Sequence, residues 1–98
     1  MNINIEKENG VTFLKIDGRL DTTTAPELEK AINAEGDELK NLVLDFGGVD
    51  YISSAGLRVL LTAQKKMNIQ GSMELANVSE AVMDIFEMTG FADILVIR

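Results

Sequence analysis

The chain has 98 residues, with 16 acidic and 9 basic side chains and a formal net charge of −7. This length suits one domain with a modest core and leaves no room for a second. The acidic balance, without any Lys or Arg stripe, argues against nucleic acids and anionic membranes as partners and favours a basic protein partner. The absence of cysteine and histidine excludes disulfides, thiolate nucleophiles, imidazole bases and the commonest zinc ligands.

The N-terminus carries no targeting signal in its composition. Residues 1–6 lack a basic segment followed by an apolar core. No apolar run in the chain approaches the ~20 residues that a bilayer requires. The sequence therefore predicts a cytoplasmic protein that does not insert into membranes.

The first third of the chain predicts a hairpin and then a helix. Ile3 and Ile5 alternate with polar residues, residues 8–10 have turn chemistry, and residues 11–16 supply a second strand. Residues 24–27, Thr-Ala-Pro-Glu, are typical of a helix start, because the threonine and glutamate can form a capping box and proline fits the first turn. The hairpin must be antiparallel, since its turn is short.

The centre of the chain predicts a buried strand followed by a helix. Residues 42–46 form an almost unbroken apolar run, and residues 47–48, both glycine, signal a turn after it. A helix is predicted from residue 56 to residue 66, with leucines on one face. Ser53 and Ser54 come just before it, where a hydroxyl oxygen can accept from the free N–H groups of the first turn.

The last third predicts a strand, a helix and a closing strand. The strand covers residues 72–76, Ser79 caps the helix, Gly90 ends it, and residues 94–97 form the final strand. Strands separated by helices favour parallel pairing through right-handed crossovers. The expected fold is α/β, with a mixed sheet of about five strands and an antiparallel hairpin at the N-terminal edge.

The two serines allow two interpretations. A helix N-terminus favours negative charge, so a phosphate on such a serine would be tolerated there and would add roughly −1.5 to −2 charges to the surrounding surface. Alternatively, both serines only cap the helix, which contributes about 1 kcal/mol. Composition and spacing leave both interpretations open.

Several motifs together resemble one family. Residues 49–61, Val-Asp-Tyr-Ile-Ser-Ser-Ala-Gly-Leu-Arg-Val-Leu-Leu, are similar to the signature of the STAS domain, which occurs in bacterial anti-sigma factor antagonists and in the cytoplasmic tails of sulfate transporters. Residues 18–21, Gly71 and residues 86–91 fit the same pattern in order and spacing. The resemblance extends over residues 1–98 as one STAS domain, and it implies a central sheet of about five strands with helices mainly on one side.

The resemblance also implies a phosphorylation site. Antagonists of this family carry Asp-Ser-Ser/Thr-Gly-Leu, and the serine after the aspartate accepts a phosphate from the kinase activity of an anti-sigma factor. That position is Ser54 in this chain. Ser53 replaces the aspartate and becomes a competing acceptor, while Ala55 replaces the second hydroxyl residue.

A partner surface around the acceptor is implied in the same way. In the family, the loop after the second strand lies near the phosphorylation site and contributes to partner binding. Arg58, in the first turn of the following helix, could contact an acidic group or a phosphate. The alternative is that the loop is only a polar turn and that Arg58 lies on a solvated helix face. The residues assigned to partner binding are Asp21, Thr22, Thr23, Thr24, Ser53, Ser54, Ala55 and Arg58.

By resemblance, the chain is an anti-sigma factor antagonist rather than an enzyme, with no cofactor. Its implied partners are an anti-sigma factor serine kinase, which phosphorylation would release, and a protein phosphatase that resets it. The alternative is a constitutive STAS subunit of a transport or signalling complex, in which the serines only cap. Nucleotide hydrolysis is disfavoured because no phosphate-binding loop with lysine is present. Asp45 and Asp50 could in principle bind Mg²⁺, but no third ligand lies nearby in the sequence.

Overall fold

A computed structural model describes residues 1–98. The chain forms four strands and three α-helices, and short 3-10 turns cover Gly36–Glu38 and Phe91–Asp93. The elements, in order, are β1 (Asn2–Glu8), β2 (Val11–Leu20), α1 (Ala25–Asn33), β3 (Asn41–Ile52), α2 (Ser54–Gln70), β4 (Ser72–Ala76) and α3 (Glu80–Thr89).

The sheet is mixed, with strand order β1-β2-β3-β4. β1 and β2 pair antiparallel through the turn at Asn9 and Gly10, which both have positive φ, and the other neighbours pair parallel. The predicted hairpin at one edge and the predicted parallel crossovers are therefore confirmed. They follow from the short Asn-Gly turn on one side and from the intervening helices on the other.

The sheet has four strands, so the expected fifth strand at residues 94–97 is wrong. The C-terminal segment makes only a single parallel bridge, between Leu75 and Ile97. The turn that begins at Phe91 extends to Leu95, because the Leu95 N–H donates back to the Phe91 carbonyl at 2.9 Å. Too few extended residues remain to form a strand.

The helices cover one face of the sheet, and a cluster of 22 buried side chains fills the space between them. Leu14 and Leu44 of the central strands lie in this cluster together with Leu60 of α2 and Phe86 of α3. This arrangement confirms an α/β architecture with helices mainly on one side. The other face of the sheet carries polar side chains such as Lys15.

β3 is longer than the sequence predicts, and the glycines at 47–48 do not end it. Lys15 of β2 pairs with Asp45 of β3, and Asp17 pairs with Gly48, so β3 advances by three residues where β2 advances by two. The same shift occurs again just before Ile52. β3 therefore carries two bulges, each inserting an extra residue. The turn prediction was wrong because glycine also serves at bulges, where the ladder continues past it.

The bulges also change which residues of β3 point inward. In the first half of the strand every second residue is buried on the helix side, as the period of two requires. From Phe46 onward the buried residues are three apart, namely Phe46, Val49 and Ile52, each at most 3% exposed. Each extra residue of a bulge is therefore exposed, and the side chains on either side of it still point into the core. The second bulge places residues 50–51 at the surface just before the serines.

The ends of two helices differ from the predictions. Thr24 does not cap α1 with its side chain, so the expected capping box is wrong, although Pro26 lies in the first turn as expected. α2 continues past Lys66 to Gln70, because Met67 is still fully buried against the core and Gly71 supplies the end. The predicted cap of α3 is confirmed, since the Ser79 hydroxyl accepts from the Val82 N–H at 3.2 Å and Gly90 follows in the left-handed conformation.

Candidate functional site: the start of helix α2

The start of α2 lies directly after β3, where both predicted serines are found. Ser53 is the N-cap, and its hydroxyl accepts from the Gly56 N–H at 3.5 Å. Its own N–H donates to the Leu20 carbonyl at 2.9 Å, which ties the helix start to the end of β2. Ser54 is the first helical residue, is exposed, and its hydroxyl makes no hydrogen bond within the chain. The two serines are therefore chemically different.

Gly56 allows this helix start to lie close to the sheet. A Cβ atom at this position would come within 2.8 Å of Ile52 Cγ1 and of Leu20 Cγ, and 3.1 Å of the Leu20 carbonyl oxygen. Only a residue without a side chain fits, so the glycine of the signature is explained by close packing. The same packing holds the Ser54 backbone at the carboxyl end of the sheet.

The loop between β2 and α1 is built around the Asp21 carboxylate. Asp21 Oδ1 accepts from the N–H groups of Thr23 and Thr24 at 3.0 and 3.1 Å. The Thr24 N–H, helped by the Thr23 N–H and the charge of Arg19, holds the pKa of Asp21 below its usual value against the opposing effect of burial. The carboxylate is therefore ionised at neutral pH and shapes the loop.

Thr24 is part of this framework rather than of a free surface. Its hydroxyl lies 2.6 Å from the Arg19 carbonyl oxygen and accepts from the Asp21 N–H at 2.8 Å. The structure therefore gives Thr24 a structural role and explains why it does not cap α1. Thr22 and Thr23 remain exposed beside it.

A shallow groove between α1 and α2 connects the loop with the helix start. Its volume is about 190 Å³, and Thr22 lines it together with Ala55 and Arg58. Pro26 and Glu29 form the opposite wall on α1. The structure thus brings together three of the residues that the sequence assigned to partner binding, and it places Ser53 and Ser54 next to them in the chain.

Two residues beside the site had no predicted role. The Arg19 guanidinium lies over the ring of Tyr51, with Cζ 4.2 Å from the ring centroid. Both side chains are exposed, and they come from neighbouring strands. No sequence signal could have paired them, because their contact depends on the second bulge of β3.

Asp45, one of the two carboxylates considered in the sequence as Mg²⁺ ligands, is hydrogen-bonded within the chain. Asp45 Oδ1 accepts from the Gly47 N–H at 2.9 Å and from Asn77 Nδ2 at 3.0 Å. Asn77, together with the Gly47 N–H and the charge of Lys15, holds the pKa of Asp45 below its usual value, against the opposing effect of burial. No group of three or more candidate metal-ligating side chains forms in the chain. No helix is both long enough and apolar enough to span a membrane.

Replacing Ser53 with alanine is expected to lower the free energy of unfolding by about 0.5 to 1 kcal/mol, because the N-cap acceptor is lost. The value is at the low end of the range for caps because the bond is long, at 3.5 Å. Ser54→Ala should change stability by less than about 0.5 kcal/mol, since its hydroxyl has no partner in the chain. Urea unfolding of both variants measures the difference, and equal losses would contradict these roles.

Comparisons with known proteins bear on this site. A STAS domain model matches residues 2–98. Over 96 residues the chain is 35% identical to BtrV of Bordetella bronchiseptica, covering 96% of this chain and 83% of BtrV. It is 33% identical over 100 residues to the anti-sigma-B factor antagonist of Staphylococcus aureus, covering 97% of this chain and 92% of the relative.

Solved structures show the same fold. An anti-sigma factor antagonist from Mycobacterium paratuberculosis superimposes with a TM-score of 0.90 at 26% identity, covering 99% of this chain and 84% of that one. The Bacillus cell fate determinant SpoIIAA, in its phosphorylated form, gives 0.74 at 15% identity, covering 99% of this chain and 91% of that one. Fold, signature and sequence relatives agree, and the chain belongs to the STAS domain family.

Proposed function

We propose that this chain is a cytoplasmic anti-sigma factor antagonist that is switched by phosphorylation of Ser54. Unphosphorylated, it binds an anti-sigma factor with serine kinase activity and displaces the bound sigma factor. Phosphorylation by that kinase ends the interaction, and a protein phosphatase restores the free hydroxyl. The chain acts by binding and supplies the acceptor, while the chemistry belongs to its partners.

The observation that carries this proposal is the contrast between the two serines. Ser54 is exposed at the first position of α2, and its hydroxyl has no partner in the chain. Ser53 is partly buried and its hydroxyl is used as the cap. A kinase can therefore reach the Ser54 oxygen without unwinding the helix, whereas reaction at Ser53 would remove the cap acceptor.

In the proposed step, the γ-phosphoryl group of ATP is transferred to the Ser54 hydroxyl. The Ser54 oxygen attacks the γ-phosphorus, the bond from that phosphorus to the β,γ-bridging oxygen breaks, and ADP leaves. The hydroxyl proton goes to a base of the kinase, which in protein kinases is a carboxylate. In the reset step, water attacks the phosphoserine phosphorus, the bond from that phosphorus to the Ser54 oxygen breaks, and the oxygen takes up a proton as inorganic phosphate is released.

The local field supports a phosphate at this position in the free protein. The N-terminus of a 17-residue helix presents free N–H groups and a partial positive charge. In a dry interface the same dianion would be repelled by partner carboxylates and would lose its water. The modification therefore costs little in the free state and much in the complex, which is what a release switch requires.

Incubation with the anti-sigma factor kinase that co-purifies with the chain, together with ATP, tests the proposal. We expect a single phosphate, located on Ser54 by peptide mass spectrometry. Ser54→Ala should abolish labelling, while Ser53→Ala should leave it in place. Labelling of Ser53 or of another residue, or no transfer at all, would overturn the switch. Co-purification with a transporter instead of a kinase would favour the constitutive subunit.

A further inference from the structure

We propose that Arg19 and Tyr51 form a second anchor of the surface that binds the anti-sigma factor, with the Arg19 guanidinium engaging a carboxylate of that partner. This inference rests on the proposed function, because the partner is the same protein. It adds two residues outside the family-derived set, and it states the chemistry that they recognise.

The Arg19 side chain is held in place by a contact with Tyr51, but its N–H groups make no hydrogen bond within the chain. Its guanidinium lies 4.2 Å from the centre of the Tyr51 ring. The nearest carboxylate oxygen, Asp21 Oδ2, is 3.9 Å from Nε, which is too far for a hydrogen bond. The guanidinium therefore has free N–H donors, although its charge is partly balanced, and 61% of the side chain is exposed.

The contact with Tyr51 leaves N–H donors of the Arg19 guanidinium available to a ligand. The Tyr51 ring lies on one side of the guanidinium, with its centroid 4.2 Å from Cζ, and the five N–H donors of a guanidinium lie in the plane of that group. A carboxylate can accept two parallel hydrogen bonds from the edge of that plane, which is a short and directional contact. Because the ring already restricts the side chain, less conformational freedom is lost on binding. Tyr and Arg are also the residue types that dominate binding hot spots.

Position links this pair to the phosphorylation site. Tyr51 precedes Ser54 by three residues, so their Cα atoms are at most about 11 Å apart. A standard interface buries roughly 800 Å² on each partner, which corresponds to a patch about 16 Å in radius. An interface centred on Ser54 therefore extends over distances that include Tyr51.

The backbone reinforces this link. The Arg19 carbonyl accepts from the Thr24 hydroxyl at 2.6 Å, and the next carbonyl, that of Leu20, accepts from the Ser53 N–H at 2.9 Å. Arg19 is thus held between the β2–α1 loop and the start of α2. Both segments belong to the proposed interface, so Arg19 and Tyr51 extend it continuously.

The charge of the Arg19 side chain indicates which partner group is recognised. Although the chain as a whole is acidic, with a net charge of −7, Arg19 is an exposed cation and is itself complementary to acidic rather than basic groups on the partner. Partner carboxylates near Ser54 are also the groups that would repel its phosphate. One acidic patch on the anti-sigma factor therefore accounts for attraction to Arg19 before phosphorylation and for repulsion afterwards.

Calorimetric titration of the unphosphorylated chain with its anti-sigma factor tests the anchor. Arg19→Gln and Tyr51→Ala should each weaken binding about tenfold, and the double variant should be little worse than either single variant, because the two side chains act as a unit. The salt dependence of affinity should be smaller for Arg19→Gln than for the wild type. Ile69→Ala, at the far end of α2 and 90% exposed, is the control and should bind like the wild type.

The outcomes separate this inference from the function on which it rests. Affinities of Arg19→Gln and Tyr51→Ala within twofold of the wild type, or losses that simply add, would overturn the anchor while leaving the switch intact. Failure of the unmodified chain to bind the anti-sigma factor would overturn both. Thermal unfolding of each variant by circular dichroism shows whether a loss of affinity reflects a loss of folded protein.

Discussion

Replacing Ser54 with aspartate is expected to weaken binding of the anti-sigma factor more than 100-fold, a loss of about 3 kcal/mol. The added carboxylate would lie in the centre of the interface, where it loses water and faces acidic partner groups. The same charge at the first position of α2 interacts favourably with the helix N-terminus and should stabilise the free chain by about 0.5 kcal/mol. Lower affinity combined with unchanged or higher thermal stability is therefore the expected signature.

The matched control is Ser72→Asp, which adds the same charge at an exposed position where β4 begins. β3 and β4 are parallel, so Ser72 lies at the opposite end of the sheet from Ser54. The control should bind like the wild type. Equal affinity of the Ser54→Asp and Ser72→Asp variants, measured by titration calorimetry, would rule out a charge-sensitive interface at Ser54.

Gly71→Ala should produce the largest loss of stability of any single methyl addition at the surface. The new Cβ atom would lie 1.8 Å from the Lys40 carbonyl oxygen and 2.6 Å from its carbonyl carbon. Both atoms are backbone atoms, and the Ser72 N–H donates to the same carbonyl at 2.8 Å. Neither Lys40 nor Gly71 can therefore move away without breaking this hydrogen bond, which lies where β3 and β4 begin. We expect the free energy of unfolding to fall by about 3 kcal/mol.

Gly36→Ala provides the comparison, because it adds the same methyl group where no atom lies within 4 Å. Its φ of +68° still disfavours alanine, so a smaller loss of roughly 1 kcal/mol is expected. Urea unfolding measures both. If Gly71→Ala were no more destabilising than Gly36→Ala, the close approach of Lys40 to Gly71 would not be a constraint on folding.

Local sequence patterns predicted the parts of the fold that depend on neighbouring residues. The Asn9-Gly10 turn specified the hairpin, Ser79 and Gly90 specified both ends of α3, and the hydroxyl residues before Gly56 specified the start of α2. Each of these signals acts within a few residues, so it can be recognised without knowledge of the rest of the chain.

The errors arose where another contact, near or distant in the sequence, prevailed over the predicted pattern. Thr24 matches a capping box, but the Asp21 loop and the Arg19 carbonyl use its hydroxyl instead. The sequence Gly47-Gly48 is typical of a turn, but β3 continues through it as a bulge, because it stays paired with β2. Residues 94–97 have strand composition, yet the 3-10 turn before them leaves room for only one bridge.

The sequence by itself determined that the chain is an acidic α/β domain with two serines at a helix start, because composition, periodicity and capping chemistry are local properties. Its motifs indicated the STAS family by resemblance. Only the tertiary structure decided which serine is free. It did so by burying part of Ser53 and using its hydroxyl as the cap, while leaving Ser54 exposed. The Arg19–Tyr51 contact was likewise decided by strand register, since a single extra residue in β3 changes which side chains meet across the strands.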